Sequence, residues 1–321
     1  MKKIILILII ALSLVLRLYK LGSYPTGFLW DEAALGYNAY SILQTGRDEY
    51  GQLLPLIFKS FGDYKPGYYV YLTIPSIVVF GLNEFAVRFP SAFLGSLTVL
   101  VFCLLIKEIG FTRINKRIDA DLLPLLSAFL LSISPWHINF SRGAWELNVM
   151  LFELMSGLYF LTKYQNSQKN KFLTLSVVFL SLTFLTYQSA KFLTPLLVIA
   201  FLFFSRKNFV FKKNNALRKF FLIFGGFFVL FNLFTLFSGK GGRIKVMSLL
   251  SYPRSPSETT IIQNQDNRND VVFNLFHSSP VFFLRSFLGR YFNHFSGKFL
   301  FISGDWSNQR NGVLYQGQMY Y

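Results

Sequence analysis

The sequence has little charge for its length and a single cysteine. Only 15% of its 321 residues are charged, whereas 53% are hydrophobic and the mean hydropathy is +0.42. Soluble domains carry about 25% charged residues, so this composition excludes an ordinary soluble protein. The lone Cys103 excludes an intrachain disulfide and gives no information about the redox compartment.

Several motifs that mark other enzyme classes are absent from the sequence. There is no GxxxxGK[ST], GxGxxG, HExxH or paired CxxC pattern, so nothing supports nucleotide hydrolysis, dinucleotide binding or a thiolate–zinc site. The acids Asp31, Glu32 and Glu146 carry oxygen ligands that suit a divalent cation, but their spacing gives that cation no support. We expect no required cofactor and no bound metal.

Positive charge is abundant, with a formal net charge of +17. In a soluble protein this excess would suggest nucleic acid, but in a membrane protein short basic loops mark the cytoplasmic side. Three such loops occur, at 107–117, 164–171 and 206–219. We interpret them as cytoplasmic and expect membrane lipids, not nucleic acid, as partners.

The long apolar runs predict an all-α, polytopic membrane helix bundle. Strands of a membrane barrel would alternate apolar and polar residues, and these runs do not. A spanning helix needs about 20 mostly apolar residues. The first run follows two lysines and resembles an uncleaved signal sequence. Seven runs are long enough to be considered: 4–19, 88–106, 121–136, 145–162, 172–188, 192–205 and 218–238.

With the basic loops inside, two large segments lie outside the membrane, 20–87 and 239–321. This topology requires the tyrosine-rich segment 67–80 to lie at the outer interface as a juxtamembrane helix. If 67–80 spanned the membrane, the loop 107–117 would lie outside instead.

The chain divides on this topology into a transmembrane module, 1–238, and an external loop, 239–321. Within that loop, apolar residues at helical spacing predict an amphipathic interfacial helix over 281–295. Polar and turn-forming residues predict a mobile loop over 251–270. The chain stops in a Gly- and Tyr-rich stretch, 312–321, and we expect further spans beyond it.

The first external segment places two acids close to the membrane surface, in Trp30-Asp31-Glu32. Asp31 fits the N-cap of a helix over 32–43, and this role is compatible with catalysis because a cap also fixes the orientation of the carboxylate. Lys65-Pro66 fits either a snorkelling lysine before a proline at the first helical position, or a cation beside a phosphate.

Two further external turns carry ionisable residues. The turn 134–148 holds His137, Arg142 and Glu146 at the ends of spans, where ionisable groups are functional candidates. Arg142 and Glu146 are also spaced to pair at a helix end, and His137 is interpreted as a satisfied interfacial residue. The turn from Tyr187 carries Lys191, although positive charge is disfavoured in tight outer turns.

Several segments resemble the GT-C superfamily of membrane glycosyltransferases, specifically the family 39 branch of protein O-mannosyltransferases and lipid A aminoarabinose transferases. They occur in the order found in that family and cover nearly the whole chain. The segments are Trp30-Asp31-Glu32, DYKPGYY at 63–69 with EFAVRFPSA at 84–92, SPWH…SR…E at 134–146, and the tail 294–305.

The resemblance implies a GT-C bundle in the plasma (inner) membrane with its active site facing outside. It implies transfer of a sugar from a polyprenyl-phosphate carrier to a hydroxyl of an acceptor protein, lipid or envelope glycan. It makes Asp31 the catalytic carboxylate, with Glu32 beside it, and places Lys65 and Lys191 at the carrier phosphate. The substrate-binding set is completed by Arg142, Glu146 and Tyr187.

Physical chemistry agrees with this hypothesis. Outside the cytoplasm there is no pool of nucleotide sugars, so the donor arrives on a lipid. Asp31 would act as general base in a single, inverting displacement, with lysines neutralising the leaving phosphate. Two alternatives stay open, a transporter or lipid flippase and an inactive truncated remnant. Transporters place charges near the bilayer midplane, whereas these residues cluster at one surface.

Overall fold

The apolar runs form helices in the computed structural model, which describes residues 2–60, 63–113, 122–204, 215–237, 261–262, 264 and 270–303. The contacts within the chain divide it into two units, 1–240 and 241–321. Each of the seven apolar runs forms a helix, which confirms the all-α bundle. In the first unit the helices are α1 (Lys2–Leu18), α2 (Trp30–Thr45), α3 (Tyr68–Phe80), α4 (Glu84–Arg113), α5 (Leu122–Ile133), α6 (Pro135–Arg142), α7 (Glu146–Ser167), α8 (Asn170–Thr186), α9 (Ala190–Phe204) and α10 (Asn215–Phe237).

The second unit contains α11 (Asp270–His277), α12 (Ser279–Asn293) and a π-helix (Lys298–Ser303). The predicted amphipathic helix over 281–295 is thus observed as α12, and its interfacial placement stays a prediction. The predicted polar loop 251–270 lies largely outside the described residues. So do most of the basic loop 206–219, the end of the loop 107–117 and the tail beyond residue 303.

A small antiparallel hairpin precedes α3. Strand β1 (Ile57–Ser60) pairs with β2 (Asp63–Pro66), with Ile57 opposite Pro66. Lys65 and Pro66 therefore belong to a strand, and the prediction that Pro66 is the first helical residue is wrong. Proline is tolerated here because it ends the strand. Gly67 allows the tight exit into α3, since a Cβ at this position would overlap the Phe58 ring.

Helix length and hydropathy select three helical stretches of the described residues as able to cross a membrane: Glu84–Gly110, Arg218–Thr235 and Val271–Asn293. A fourth arises if α5 and α6, which meet at a bend of 56°, form one broken span. The predicted span over 121–136 is observed as α5, which ends at Ile133, and the turn predicted over 134–148 contains a further helix, α6. Helix α5 ends before Pro135, which has no N–H to donate and restricts the residue before it.

Helix α7 lies at the centre of the first unit and contributes to two apolar clusters. One cluster joins α7 to α8, α9 and α10, and the other joins α7 to α2, α3 and α4. Outward-facing apolar side chains stay exposed, for example Phe192 at 73% and Leu196 at 64%. Such surfaces suit lipid contact, in agreement with a multi-pass membrane protein.

Candidate functional site

Asp31 and Lys65 form an ion pair at the end of the bundle where α7 begins. Asp31 lies in the first turn of α2, and the Lys65 ammonium donates to its Oδ1 at 2.7 Å. The side chains are 22% and 14% exposed, so both groups are accessible from outside the protein. The prediction that Asp31 is the N-cap is wrong, because the cap is Leu29 and α2 already begins at Trp30.

Glu32, the neighbour of Asp31, is buried and saturated with hydrogen bonds. Its Oε1 accepts from the Ala144 backbone N–H and from Arg88 Nε, both at 2.9 Å. Its Oε2 accepts from Arg88 Nη2 at 2.9 Å and from the Leu29 backbone N–H at 3.1 Å. Four donors fill the lone-pair sites of a carboxylate, so Glu32 is suited to orient the start of α2 and not to contact a substrate.

The segment before Asp31 is fixed by two arginines from distant parts of the chain. Arg88 is 1% exposed and donates from Nη1 and Nη2 to backbone carbonyls. From the sequence, Arg142 is expected either to bind substrate or to pair with Glu146. In the structure both Nη atoms of Arg142 donate to backbone carbonyls. The acceptors of Arg88 are Leu21, Pro25 and Gly27, and those of Arg142 are Leu16, Arg17, Tyr19 and Tyr24.

A third arginine, Arg17, is fully buried and supports the bend between α5 and α6. It donates to the carbonyls of Leu131 and Ser132, at the end of α5, where helix carbonyls lack partners. Its Nη2 also lies 2.7 Å from His137 Nδ1. His137 is not the interfacial residue that the sequence suggests, because it is fully buried. Its Nε2 has no hydrogen-bond partner among the described residues.

Glu146 at the start of α7 and Tyr69 at the start of α3 are both buried. Glu146 is the first residue of α7 and is 8% exposed. Tyr69 is fully buried and donates its hydroxyl proton to the Val87 carbonyl at 2.9 Å. Burial, and then the charges of Glu146 and Glu32, raise the pKa of the Tyr69 phenol well above its usual value. Tyr69 is therefore a neutral donor at any physiological pH.

The turn predicted from Tyr187 approaches Lys65 through Gln188, a residue that the sequence did not single out. Tyr187 caps α8, and the next residue, Gln188, donates from Nε2 to the Tyr64 carbonyl at 2.7 Å. This bond ties the turn to β2, directly beside Lys65. Lys191 is not in the turn but in the first turn of α9, where it is 3% exposed.

Lys191 makes its described contacts with α10. Its ammonium lies 3.4 Å from the Thr235 hydroxyl and 5.4 Å from the centre of the Phe231 ring. The described contacts thus join Asp31, Lys65 and the turn after α8, whereas Lys191 lies against a different helix. No group of three or more His, Cys, Asp and Glu side chains suited to a metal ion occurs within the described ranges.

Arg88 and Gln188 were the main residues missed. An arginine near the start of an apolar run is a signal in itself, because a charge at membrane depth is costly and calls for a partner. The partner, Glu32, lies 56 residues away in the sequence. Gln188 carries no comparable signal, since a neutral amide in a turn is ordinary.

The fold resembles two solved membrane glycosyltransferase structures. One is the archaeal oligosaccharyltransferase AglB from Archaeoglobus fulgidus, in complex with an inhibitory peptide and a dolichol-phosphate. It has 15% identity and a TM-score of 0.52, over 90% of this chain and 38% of that one. The other is ArnT from Cupriavidus metallidurans bound to undecaprenyl phosphate. It has 13% identity and a TM-score of 0.54, over 75% of this chain and 43% of that one.

At these identities the likeness concerns the fold, and the chain spans about two-fifths of the length of either neighbour. No curated protein matches the sequence. The family model described as dolichyl-phosphate-mannose-protein mannosyltransferase matches residues 7–238, well over half of the chain. That range contains Asp31, Lys65 and the helices from α2 to α9. The chain therefore belongs to the dolichyl-phosphate-mannose-protein mannosyltransferase family of GT-C glycosyltransferases.

Proposed function

We propose that this protein transfers a hexose or pentose from a polyprenyl-phosphate carrier to an acceptor hydroxyl on the extracytoplasmic face of the plasma (inner) membrane. The observation that carries the proposal is the Asp31–Lys65 pair, a carboxylate and an ammonium 2.7 Å apart and partly exposed. A base for the acceptor and a cation for the carrier phosphate are the two groups that this reaction needs.

In the proposed step, Asp31 takes the proton of the acceptor hydroxyl as its oxygen attacks the anomeric carbon of the sugar. The bond between that carbon and the phosphate oxygen breaks, and the electron pair leaves with the phosphate. Polyprenyl phosphate is a stable anion, so no general acid is needed. A single displacement of this kind inverts the anomeric centre.

Lys65 has a double role in this mechanism. An ammonium has three donors, so Lys65 can hold the carrier phosphate while it keeps its contact with Asp31. A bound phosphate would share the ammonium with Asp31, so one cation would serve both the carrier and the carboxylate. The short hairpin supports this geometry, because it fixes Lys65 opposite the buried Phe58.

The residues around the pair are proposed to position it. Glu32 and Arg88 hold the start of α2, and Arg142 holds the chain leading to it, so Asp31 projects from a fixed support. Glu146 lies beneath this support at the start of α7. Lys191 is proposed as a second contact for the carrier phosphate, since a buried ammonium beside a neutral hydroxyl gains from a bound anion.

A lipid-linked donor is supported by the family and by the ligands named for the two neighbours, dolichol-phosphate for AglB and undecaprenyl phosphate for ArnT. The acceptor is proposed to be a hydroxyl of a protein, a lipid or an envelope glycan. No divalent cation enters the proposed step, because the carbon–oxygen bond breaks toward an anion that Lys65 already neutralises.

The experiment is transfer of radiolabelled sugar from a panel of polyprenyl-phosphate sugars in membranes that contain the protein. Wild type is compared with Asp31→Asn, which keeps the size of the side chain but removes the base. Glu84→Gln is the control, because it removes an exposed carboxylate at the start of α4, one turn before Arg88. We expect wild type and Glu84→Gln to release label, and Asp31→Asn to release it at least about 100-fold more slowly.

Two results would contradict the proposal. Full transfer by Asp31→Asn would show that another group is the base. No transfer from any donor by correctly inserted wild type would remove the glycosyltransferase assignment for this chain and favour the remnant or the transporter.

A further inference from the structure

Glu153 is a buried carboxylate that the proposed mechanism does not use. It lies on α7, two turns after Glu146, and is 2% exposed. The described part of the chain gives it one hydrogen-bond partner, the hydroxyl of Thr186, and no ion pair. Thr186 Oγ1 lies 2.9 Å from Oε1 and 2.8 Å from Oε2.

The hydrogen-bonding capacity of Glu153 is far from filled. A carboxylate accepts about four hydrogen bonds, and a single hydroxyl proton supplies at most one. Thr186 Oγ1 also lies 3.0 Å from the Leu182 carbonyl, which competes for that proton. A buried acid with this deficit differs from Glu32, whose four donors are all supplied by the protein. Such a group is costly unless something else satisfies it.

Three separate hydrogen-bonded contacts, joined by short chain segments, relate Glu153 to the proposed active site. Asp31 pairs with Lys65, and the carbonyl of the adjacent Tyr64 accepts from Gln188 at 2.7 Å. Gln188 follows Thr186 by two residues, and Thr186 holds Glu153. Helix α8, which carries Thr186, contacts both β2 and α3, so the end of α8 links Glu153 to the strand that carries Lys65.

Tyr68 places Glu153 near the same site from α3. Burial, and then the Glu153 carboxylate, raise the pKa of the Tyr68 phenol, and α3 contacts α8, the helix that carries Thr186. Tyr68 follows Lys65 by three residues, which limits the separation of their Cα atoms to about 11 Å.

We infer that Glu153, oriented by Thr186, accepts a hydrogen bond from a ring hydroxyl of the donor's sugar and so determines which sugar is transferred. The inference rests on the proposed function, because it places the sugar between the phosphate at Lys65 and the carboxyl at Glu153. A site built to bind a hydroxyl strongly rejects a substrate that lacks it, since the buried polar group is then left unpaired.

The test measures kcat/KM for a preferred polyprenyl-phosphate sugar and for its deoxy analogues, each lacking one ring hydroxyl. Glu153→Met removes the acceptor while keeping an apolar side chain of similar length. Glu108→Met is the matched control, because Glu108 of α4 also accepts a hydrogen bond from a neighbouring helix, from Asn166 at 2.8 Å near the end of α7. Binding of sugar-free polyprenyl phosphate reports whether each variant is folded and retains the phosphate site.

In wild type and Glu108→Met, we expect removal of one particular hydroxyl to lower kcat/KM by at least about tenfold. The quantity compared is the ratio of kcat/KM for the complete sugar to kcat/KM for the deoxy analogue. In Glu153→Met this ratio should fall to within about twofold of unity, with carrier binding unchanged. If Glu153→Met fails to bind the carrier, the same ratio is measured for Glu153→Gln. For that variant it should lie between the wild-type ratio and unity.

An unchanged ratio in a Glu153 variant that binds the carrier would overturn the inference and leave the proposed function intact. So would an equal fall in kcat/KM for every donor, which is the signature of a purely structural role. Absence of transfer in wild type would instead reject the proposed function, and the sugar subsite with it.

Discussion

Asp31 and Glu32 are adjacent in the sequence and each pairs with a cation, yet the surroundings of the two pairs differ. Glu32 is 3% exposed and receives two donors from Arg88 and two from the backbone. Asp31 is 22% exposed and meets Lys65 through one oxygen, Oδ1. One pair belongs to the interior of the protein and the other to its accessible surface.

The difference shows how a fold can place a reactive carboxylate accurately. A saturated, buried ion pair gives little chemistry, but it fixes the first turn of a helix in one position. The preceding residue on that helix, Asp31, then holds its carboxylate at a defined point without being fully buried itself. A change at Asp31 should therefore lower activity with little loss of stability, whereas a change at Glu32 or its partner should lower stability.

The largest expected effect separates the two acids by activity. Asp31→Asn should lower kcat by about 10²- to 10⁴-fold, the usual contribution of a general base. Its free energy of unfolding should change by no more than about 1 kcal/mol, because a partly exposed ion pair contributes little to stability. Transfer assays and unfolding in mixed detergent micelles measure the two quantities. A large loss of stability in Asp31→Asn would show that its pair is structural, like that of Glu32.

The second effect concerns stability at Arg88. Arg88→Met should lower the free energy of unfolding by about 3–5 kcal/mol, because it leaves Glu32 as a buried charge without its partner. The double variant Arg88→Met, Glu32→Gln should lose less than the sum of the single losses, since the two residues are in direct contact. Additive losses would mean that Arg88 acts mainly through the backbone carbonyls of 21–27.

The sequence predicts much of this fold because long apolar runs are a strong local signal. The helices found at 84–113 and 215–237 follow directly from such runs. The hairpin at 57–66 was not predicted, because strands of four residues carry almost no periodicity. The end of α5 at residue 133 agrees with the turn predicted from 134, but helix α6 within that turn was not predicted, because eight residues carry little periodicity.

The candidate site was predictable as a set of residues but not as an arrangement. Asp31 and Lys65 lie 34 positions apart, and only the hairpin brings Lys65 back to α2. Arg142 was interpreted as a substrate-binding residue because it is charged and lies at the end of a span. Its partners are backbone carbonyls, which every residue possesses and which the sequence therefore cannot reveal.

The third effect concerns carrier binding at Lys65. Lys65→Met should weaken binding of polyprenyl phosphate by about 10- to 100-fold, as expected for loss of a charged hydrogen bond of about 1.5–3 kcal/mol. Lys59→Met, which removes a cation from the neighbouring strand of the same hairpin, should leave carrier binding unchanged. Equal binding by Lys65→Met and wild type would place the phosphate elsewhere, with Lys191 as the next residue to test.

The smallest expected effect tests whether the hydrogen bond from Tyr69 to the Val87 carbonyl affects both the Glu32–Arg88 pair and the Asp31–Lys65 pair. Tyr69→Phe removes the hydroxyl that donates to the Val87 carbonyl, one residue before Arg88, and should cost about 0.5–1.5 kcal/mol of unfolding free energy. Because the ring stays in place, Asp31 should keep its position and kcat should change by less than about threefold. Tyr71→Phe is the control, since its hydroxyl donates to the Pro55 carbonyl, away from Arg88. A strong fall in kcat in Tyr69→Phe but not in Tyr71→Phe would contradict this expectation. It would mean that the buried Glu32–Arg88 pair and the accessible Asp31–Lys65 pair are coupled through Tyr69.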